Sequence, residues 1–488
     1  MIRLTRRSFV HIVAGLGLSA KPGRAENRPV ARMWVSTVDG LQRMSVQPDV
    51  EFARRNRSDD AASSPGDRIL ITPARAYQRM LGFGSSLEPA TCWNLSRLDP
   101  AQRSRVLARL VSPAQGLGMN LMRICIGTPD FTGDPWYSYN DLPPGETDPE
   151  LKRFSIDKDR AYILPILQLA RKLNPNLLFF ASPWSPPGWM KTTGSLIGGS
   201  VLPQWYPAYA EYFVKFLAAY ANAGIPIHAV TVQNEPGVDR AKEKSARWHY
   251  PSCHWTAEQE RDFIRDHLGP ALRRNRLKTK IWCYDHNYNE TPEGDDPGIA
   301  YPRTILRDPG AAQFVDGVAF HGYAGQPAGM SAFQREFPTI PLHFTEGSVF
   351  GIEGGRQLIE RLRNHAASYN AWVTMLDDNR KPNNGPFPAS RTILTLNPTT
   401  LEVSEHFDFD LYGHFMKFID RGAVRIESSD IARDIANVAF RNPNGNLVLI
   451  VINTATIERA TSILAGRFSA RISMRPKSIA TLVWRGTD

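Results

Sequence analysis

From residue 81 onward the chain alternates short apolar runs with longer helical stretches, and this alternation constrains its fold more than any other feature. Strand-like runs fall at 81–85, 120–126, 177–182, 227–233, 280–284, 317–321, 342–345 and 371–376. Strands separated by helices of this length read as parallel βα units, and eight units predict a (β/α)₈ barrel. The clearest helix precedes the fourth run. Its Tyr209, Tyr212, Phe213, Phe216, Leu217 and Tyr220 recur at helical spacing, so this aromatic stripe reads as a face packed on the barrel wall. The segment 411–419 reads as the eighth helix.

Both flanks have β character. Residues 31–44 read as strand, turn, strand, and 69–72 as a further strand after the polar loop 52–68. After the barrel, 438–440, 447–452, 469–474 and 480–483 alternate or run apolar between turn residues such as Asn442-Pro443-Asn444-Gly445. Strands at the two ends of the chain most economically share one β-sandwich. The expected organisation is a leader at 1–25, N-terminal sandwich strands at 29–77, the barrel at 78–420 and C-terminal sandwich strands at 421–488.

The leader is expected from Thr5-Arg6-Arg7-Ser8-Phe9, which resembles a twin-arginine export motif, with an apolar stretch from Val10 to Ala20 and small residues up to Ala25. That stretch is too short to span a bilayer, which takes about 20 residues, so the expectation is an exported bacterial protein without stable membrane insertion. Five of the cations lie in the leader, which lowers the formal charge from +10 to +5 (10 − 5) for the remainder. The remaining cations are scattered, and no groove of interleaved basic and aromatic residues points to nucleic acid. Cys92, Cys125, Cys253 and Cys283 form no CxxC pair, which leaves zinc and thioredoxin-like chemistry without support. Cys125 and Cys283 sit in apolar runs, and four free thiols are expected.

Chemistry enters with two acids. Glu235 ends the fourth strand in AVTVQNEP, and Glu346 ends the seventh in PLHFTEGS. Singly, each reads as a helix cap or an ion-pair partner. Jointly, they stand at the C-terminal strand ends where barrel enzymes keep their active sites, and two opposed carboxyl groups are what glycoside hydrolysis needs. There is no GxSxG, HExxH or Walker loop to compete, and nothing in this chemistry calls for a metal or cofactor.

Several motifs in a fixed order carry a family resemblance: GFGSSLEPA, RICIGTPDF, SPWSPPGWMKT, the helix leading into VTVQNEP, AFHGY, HFTEGS and YGHFMKFI. From about Leu81 to the C-terminus the chain resembles the glucosylceramidase-type family 30 of glycoside hydrolases. The resemblance implies a (β/α)₈ barrel with a side β-sandwich and retaining double displacement at a β-glycoside. Glu235 would be the general acid/base and Glu346 the nucleophile. Retention needs the carboxyl groups about 5–5.5 Å apart, and a negative Glu346 so close is expected to raise the pKa of Glu235 and keep it protonated. The same resemblance makes Asn234 a donor to the sugar 2-hydroxyl and Asp130 a holder of sugar hydroxyls. It makes Trp184 and Trp372 aromatic walls, and places His321 and Tyr323 beside the nucleophile.

Gly322, Gly347 and Val373 depart from the family pattern and are expected at the pocket rim. The expected substrate is β-linked glucose, in glucosylceramide or a related glucoside. An endo-β-1,6-glucanase with the same catalytic pair is the alternative on β-glucan. A carbohydrate-binding protein without catalysis is the reading from another class. Oligomeric state is not legible in the sequence.

Overall fold

The computed structural model describes residues 28–55, 68–294, 296–389, 391–430 and 434–486. The expected leader, and most of the polar loop after Phe52, lie outside the described residues.

Eight parallel strands form the central sheet: β1 (Gly82–Gly84), β2 (Leu121–Ile126), β3 (Leu178–Pro183), β4 (Ile227–Thr231), β5 (Lys280–Asn287), β6 (Gly317–His321), β7 (Leu342–Glu346) and β8 (Ala366–Asn370). Their order is β1-β8-β7-β6-β5-β4-β3-β2. The ring closes where Ser86 bridges Arg123 and the Asn120 amide donates to the Phe83 carbonyl at 2.9 Å. Leu121, Phe180, Ala229, Trp282 and Ala319 fill the barrel interior as a packed layer. Outside, the helix Tyr206–Asn222 turns its aromatic stripe onto the strands, and Tyr209, Tyr212, Phe213, Phe216, Leu217 and Tyr220 are all buried.

The eighth strand is not the expected one. Residues 366–370 (AASYN) pair with β7 and β1, whereas Met375–Asp377 joins a small separate sheet with Leu394–Leu396 and Val403–Glu405. Apolar content misled here. The small and polar residues Ser368 and Asn370 are fully buried, and Asn370 Nδ2 donates to the Leu121 carbonyl at 2.7 Å.

Both flanks of the chain build one ten-stranded sheet that encloses a second core. Val30–Thr37 pairs with Ser45–Glu51 on one side and with Ser478–Arg485 on the other. Arg68–Arg79, much longer than expected, lies between Val424–Ser428 and Arg459–Ala465. Neither of those two neighbours is among the expected strands. The helix Phe407–Met416 docks on this sheet, with His414 between Thr481 and Ser36 at 2.8 and 2.9 Å. The four cysteines are buried, unpaired thiols. Among the described residues, no helix is long and apolar enough to cross a membrane.

One irregularity in β5 shapes the mouth of the barrel. Tyr284 stands opposite Ala319 and His286 opposite Phe320, so Asp285 is an extra residue in the strand. Tyr284 and Asp285 both have positive φ, 79° and 69°. Such a bulge re-aims a side chain, and here it turns Asp285 into the barrel.

Candidate active site

Glu235 and Glu346 emerge at the C-terminal mouth of the barrel, as the strand-end positions require. Glu346 closes β7 directly. Glu235 lies four residues beyond β4 at φ 50°, and its amide donates to the Asp285 carbonyl at 3.1 Å. One carboxylate oxygen of each lies within 4.8 Å of the other. Both line a cavity of about 520 Å³.

Beneath them sits Arg123, in the middle of the apolar strand β2 and fully buried. One of its nitrogens contacts the Glu346 carboxylate closely. The other donates to Asn234 Oδ1 and Asp285 Oδ2, each at 2.8 Å. With its oxygen occupied, Asn234 has its NH₂ left for the cavity it lines. Asp285 is saturated: Ser182, Thr231 and Thr345 hydroxyls and His321 Nε2 also donate to it, at 2.8, 2.9, 2.6 and 3.1 Å. Burial alone would raise the Asp285 pKa, but Arg123 and His321 outweigh it and hold the carboxyl far below the usual range.

His321 lies between the acids. Its Nδ1 is 3.2 Å from Glu235 Oε1 and its Nε2 is 3.8 Å from Glu346 Oε2. Burial opposes its charge, yet Glu346 and Asp285 push its pKa up to about 10. Glu235 moves the other way. Burial raises it, but the His321 hydrogen bond and nearby cations lower it to about 2. His286, one of those nominal cations, is itself held below its usual value by burial, so His321 is the effective partner. The expectation of a Glu235 raised by Glu346 is therefore corrected: the His321 hydrogen bond outweighs it. Arg123 and His321 stand beside the two acids, and the Glu235–His321 contact lowers the carboxyl and raises the imidazole. Glu235, His321 and Glu346 have the spacing of a cation site, and a cation there would have to displace the His321 proton.

The remaining predicted residues converge on the same place. Trp184 and Trp372 stack at 5.2 Å and 21°, with the Arg123 guanidinium 4.9 and 5.4 Å from their rings. The Asp130 carboxyl faces the cavity, raised to about 8 by burial and by the charges of Glu346 and Glu235. Tyr323, more than half exposed at the mouth, donates its hydroxyl to Glu346 Oε1 at 2.8 Å. All predicted site residues line the cavity except His321, which lies buried below it.

Of the three departures, only Val373 lines the cavity. Gly322 and Gly347 are not at the rim; both back onto the ring of Phe344. A Cβ at Gly322 would meet Phe344 Cζ at 2.6 Å and Arg361 Nη2 at 2.9 Å, and one at Gly347 (φ 142°) would meet Phe344 Cζ at 2.9 Å. One ring accounts for both glycines.

Sequence reasoning missed Arg123 and Asp285 as individual residues. The signal for Arg123 was a cation inside LMRICI, where burial demands a carboxylate partner. Asp285 gave none, because its inward turn depends on the bulge.

Comparison with known proteins agrees with this architecture. The family model described as the glycosyl hydrolase family 30 TIM-barrel domain matches residues 80–378, and that of the family 30 β-sandwich domain matches 422–482. An endo-1,6-β-D-glucanase of Neurospora crassa is 32% identical over 72% of this chain and 73% of its own length. The lysosomal acid glucosylceramidase of Mus musculus is 29% identical over 87% of this chain and 85% of its own. The solved endo-β1,6-glucanase BT3312 superposes with a TM-score of 0.82 at 28% identity, covering 93% of this chain and 99% of that one.

Proposed function

The chain belongs to glycosyl hydrolase family 30, and from that premise we propose that Glu346 is the nucleophile and Glu235 the acid/base of a retaining enzyme acting on β-linked glucose. One observation carries the reading: the two carboxylates approach within 4.8 Å over a shared cavity. An inverting enzyme needs about 6.5–9.5 Å to admit a water between its acids, whereas a retaining one works near 5–5.5 Å.

In the first step a Glu346 oxygen attacks the anomeric carbon, and the bond to the leaving oxygen breaks as Glu235 protonates that oxygen. The proton comes from the Glu235–His321 pair. Attack consumes the Glu346 charge by forming an ester. Glu235 then takes a proton from the water that cleaves this ester, which restores the proton of the Glu235–His321 pair, and both acids return to their starting state. Arg123 and Tyr323 aim the Glu346 oxygens. Asn234 faces the sugar near the nucleophile, while Asp130 and the tryptophan walls hold the ring.

The relatives named above act on two kinds of leaving unit, a lipid and a glucan. The glucosylceramide-like glycolipid is the first substrate of this proposal, with β-1,6-glucan as the second. The twin-arginine-like leader supports action outside the cytoplasm.

The test is trapping with a 2-fluoro-glucoside inactivator followed by peptide mapping. A stable adduct on Glu346 is expected. Label on another residue, or product released with inverted anomeric configuration, refutes the assignment. Product analysis on glucosylceramide and β-1,6-glucan then separates the two substrates.

A further inference from the structure

The helix Ala257–Phe263 packs outside the barrel and carries Glu260, a fully buried carboxyl with no ion-pair partner among the described residues. Glu260 Oε1 accepts the backbone amide of Tyr284 at 3.0 Å, and Oε2 meets the Tyr301 hydroxyl at 2.8 Å. That amide belongs to the first of the two positive-φ residues in β5. A bulge disrupts the strand ladder around its extra residue, here the one after Tyr284, and a buried N–H without a partner is costly. Glu260 supplies that partner from outside the sheet.

Resting on the catalytic reading above, we propose that Glu260 is a positioning residue: by holding the β5 bulge, it places both catalytic carboxylates without touching substrate. Two connections lead from the bulge to the acids. The Asp285 side chain fixes Arg123 and His321, which contact Glu346 and Glu235. The Asp285 carbonyl accepts the Glu235 amide, anchoring the acid/base backbone at its own positive φ. The glycone walls rest elsewhere: Asp130 follows β2, Trp184 follows β3 and Trp372 follows β8. Glu260 therefore acts first on the reacting pair, while the backbone of the sugar-binding walls rests on other strands.

Burial raises the Glu260 carboxyl to about 8 against its hydrogen bonds, which favours the neutral form. In that form Oε1 accepts the amide and the acid proton goes to the Tyr301 oxygen, whose own proton reaches the Thr256 carbonyl at 3.1 Å. A glutamine reproduces this pattern, with its oxygen on the amide and its NH₂ on Tyr301. Leucine keeps the volume and removes the acceptor; aspartate keeps the chemistry and falls short by a methylene.

The test compares full-length Glu260→Gln, Glu260→Leu and Glu260→Asp on an aryl β-glucoside. Active sites are counted by stoichiometric trapping, so a loss of folded protein does not enter the rate. Glu260→Gln is expected within about threefold of wild type. Glu260→Leu and Glu260→Asp are expected to lose kcat by roughly a hundredfold, the scale of a misplacement of about 1 Å, with KM nearly unchanged. If the leucine variant does not fold, the aspartate variant decides. Wild-type kcat per trapped site in the aspartate or leucine variant overturns the proposal, whatever the melting temperature. So does a glutamine variant as impaired as leucine, or a loss that falls on KM. Labelling of Glu346 in the wild type is a separate outcome, so the catalytic reading and this inference fail independently.

Discussion

Replacing Arg123 with methionine removes the cation around which the site is built. The side chain is fully buried, and its guanidinium serves Glu346, Asp285 and Asn234 together. Methionine has a comparable length but leaves two carboxylates without their common partner. Breaking a buried pair from one side costs about 3–5 kcal/mol, and the low end applies here because His321 still faces Asp285. The loss should depend on pH. Asp285 is held well below its usual 3.8 in the wild type, so it contributes stability above that value, which is lost as pH falls toward the folded-state pKa. Without Arg123 the folded Asp285 titrates much nearer the unfolded one. The stability difference should be full at neutral pH and narrow below about pH 4, by at most about 1.4 kcal/mol per unit. Urea unfolding of both proteins at neutral and acid pH measures this. Activity on an aryl β-glucoside should fall at least roughly a hundredfold, the scale of losing one preorganised donor. Equal midpoints at neutral pH, or stability curves that stay parallel into acid, would refute the account of Arg123 as the balancing charge.

Three further outcomes are expected. Glu235→Ala should form the ester on a substrate with a good leaving group but hydrolyse it slowly, and azide should restore turnover with a β-glucosyl azide as product; chromatography of the products checks this. Gly347→Ala should destabilise by about 1–3 kcal/mol through overpacking against Phe344, read as a shift in urea midpoint. For His321→Gln the sign runs toward alkali. The folded pKa of about 10 exceeds the usual 6.5, so His321 stabilises fully below that usual value and the contribution is lost as pH rises toward about 10. Wild-type stability should decline over that window, and the variant's decline should be shallower in thermal melts across it.

Much of this molecule is legible in its residues alone. Barrel strands announce themselves because each must be apolar on both faces, and seven of the expected runs coincide with strands of the central sheet. The eighth is misplaced because its buried face carries Ser368 and Asn370, which hydropathy discounts. The acids are legible from position, since strand ends at one mouth share a site. Charge balance escapes such reading. Arg123 lies in plain view in LMRICI, but its partners sit 162 and 223 residues further along the chain. The direction of the Glu235 shift depends on which group lies nearest, and no spacing rule places His321 between two acids. Asp285 is hidden for another reason: a bulge reverses which side of the strand a residue faces, and the sequence carries no local mark of it.

The ten-stranded sheet has a consequence for how the chain folds. The strand Ser478–Arg485 lies between Val30–Thr37 and Asn446–Asn453, so an interior seam of the sheet joins segments from opposite flanks of the barrel. Until the two meet, each presents an open β-edge. A chain nicked within the barrel could let the flanks part and expose those edges to other chains, so the second core guards the integrity of the first.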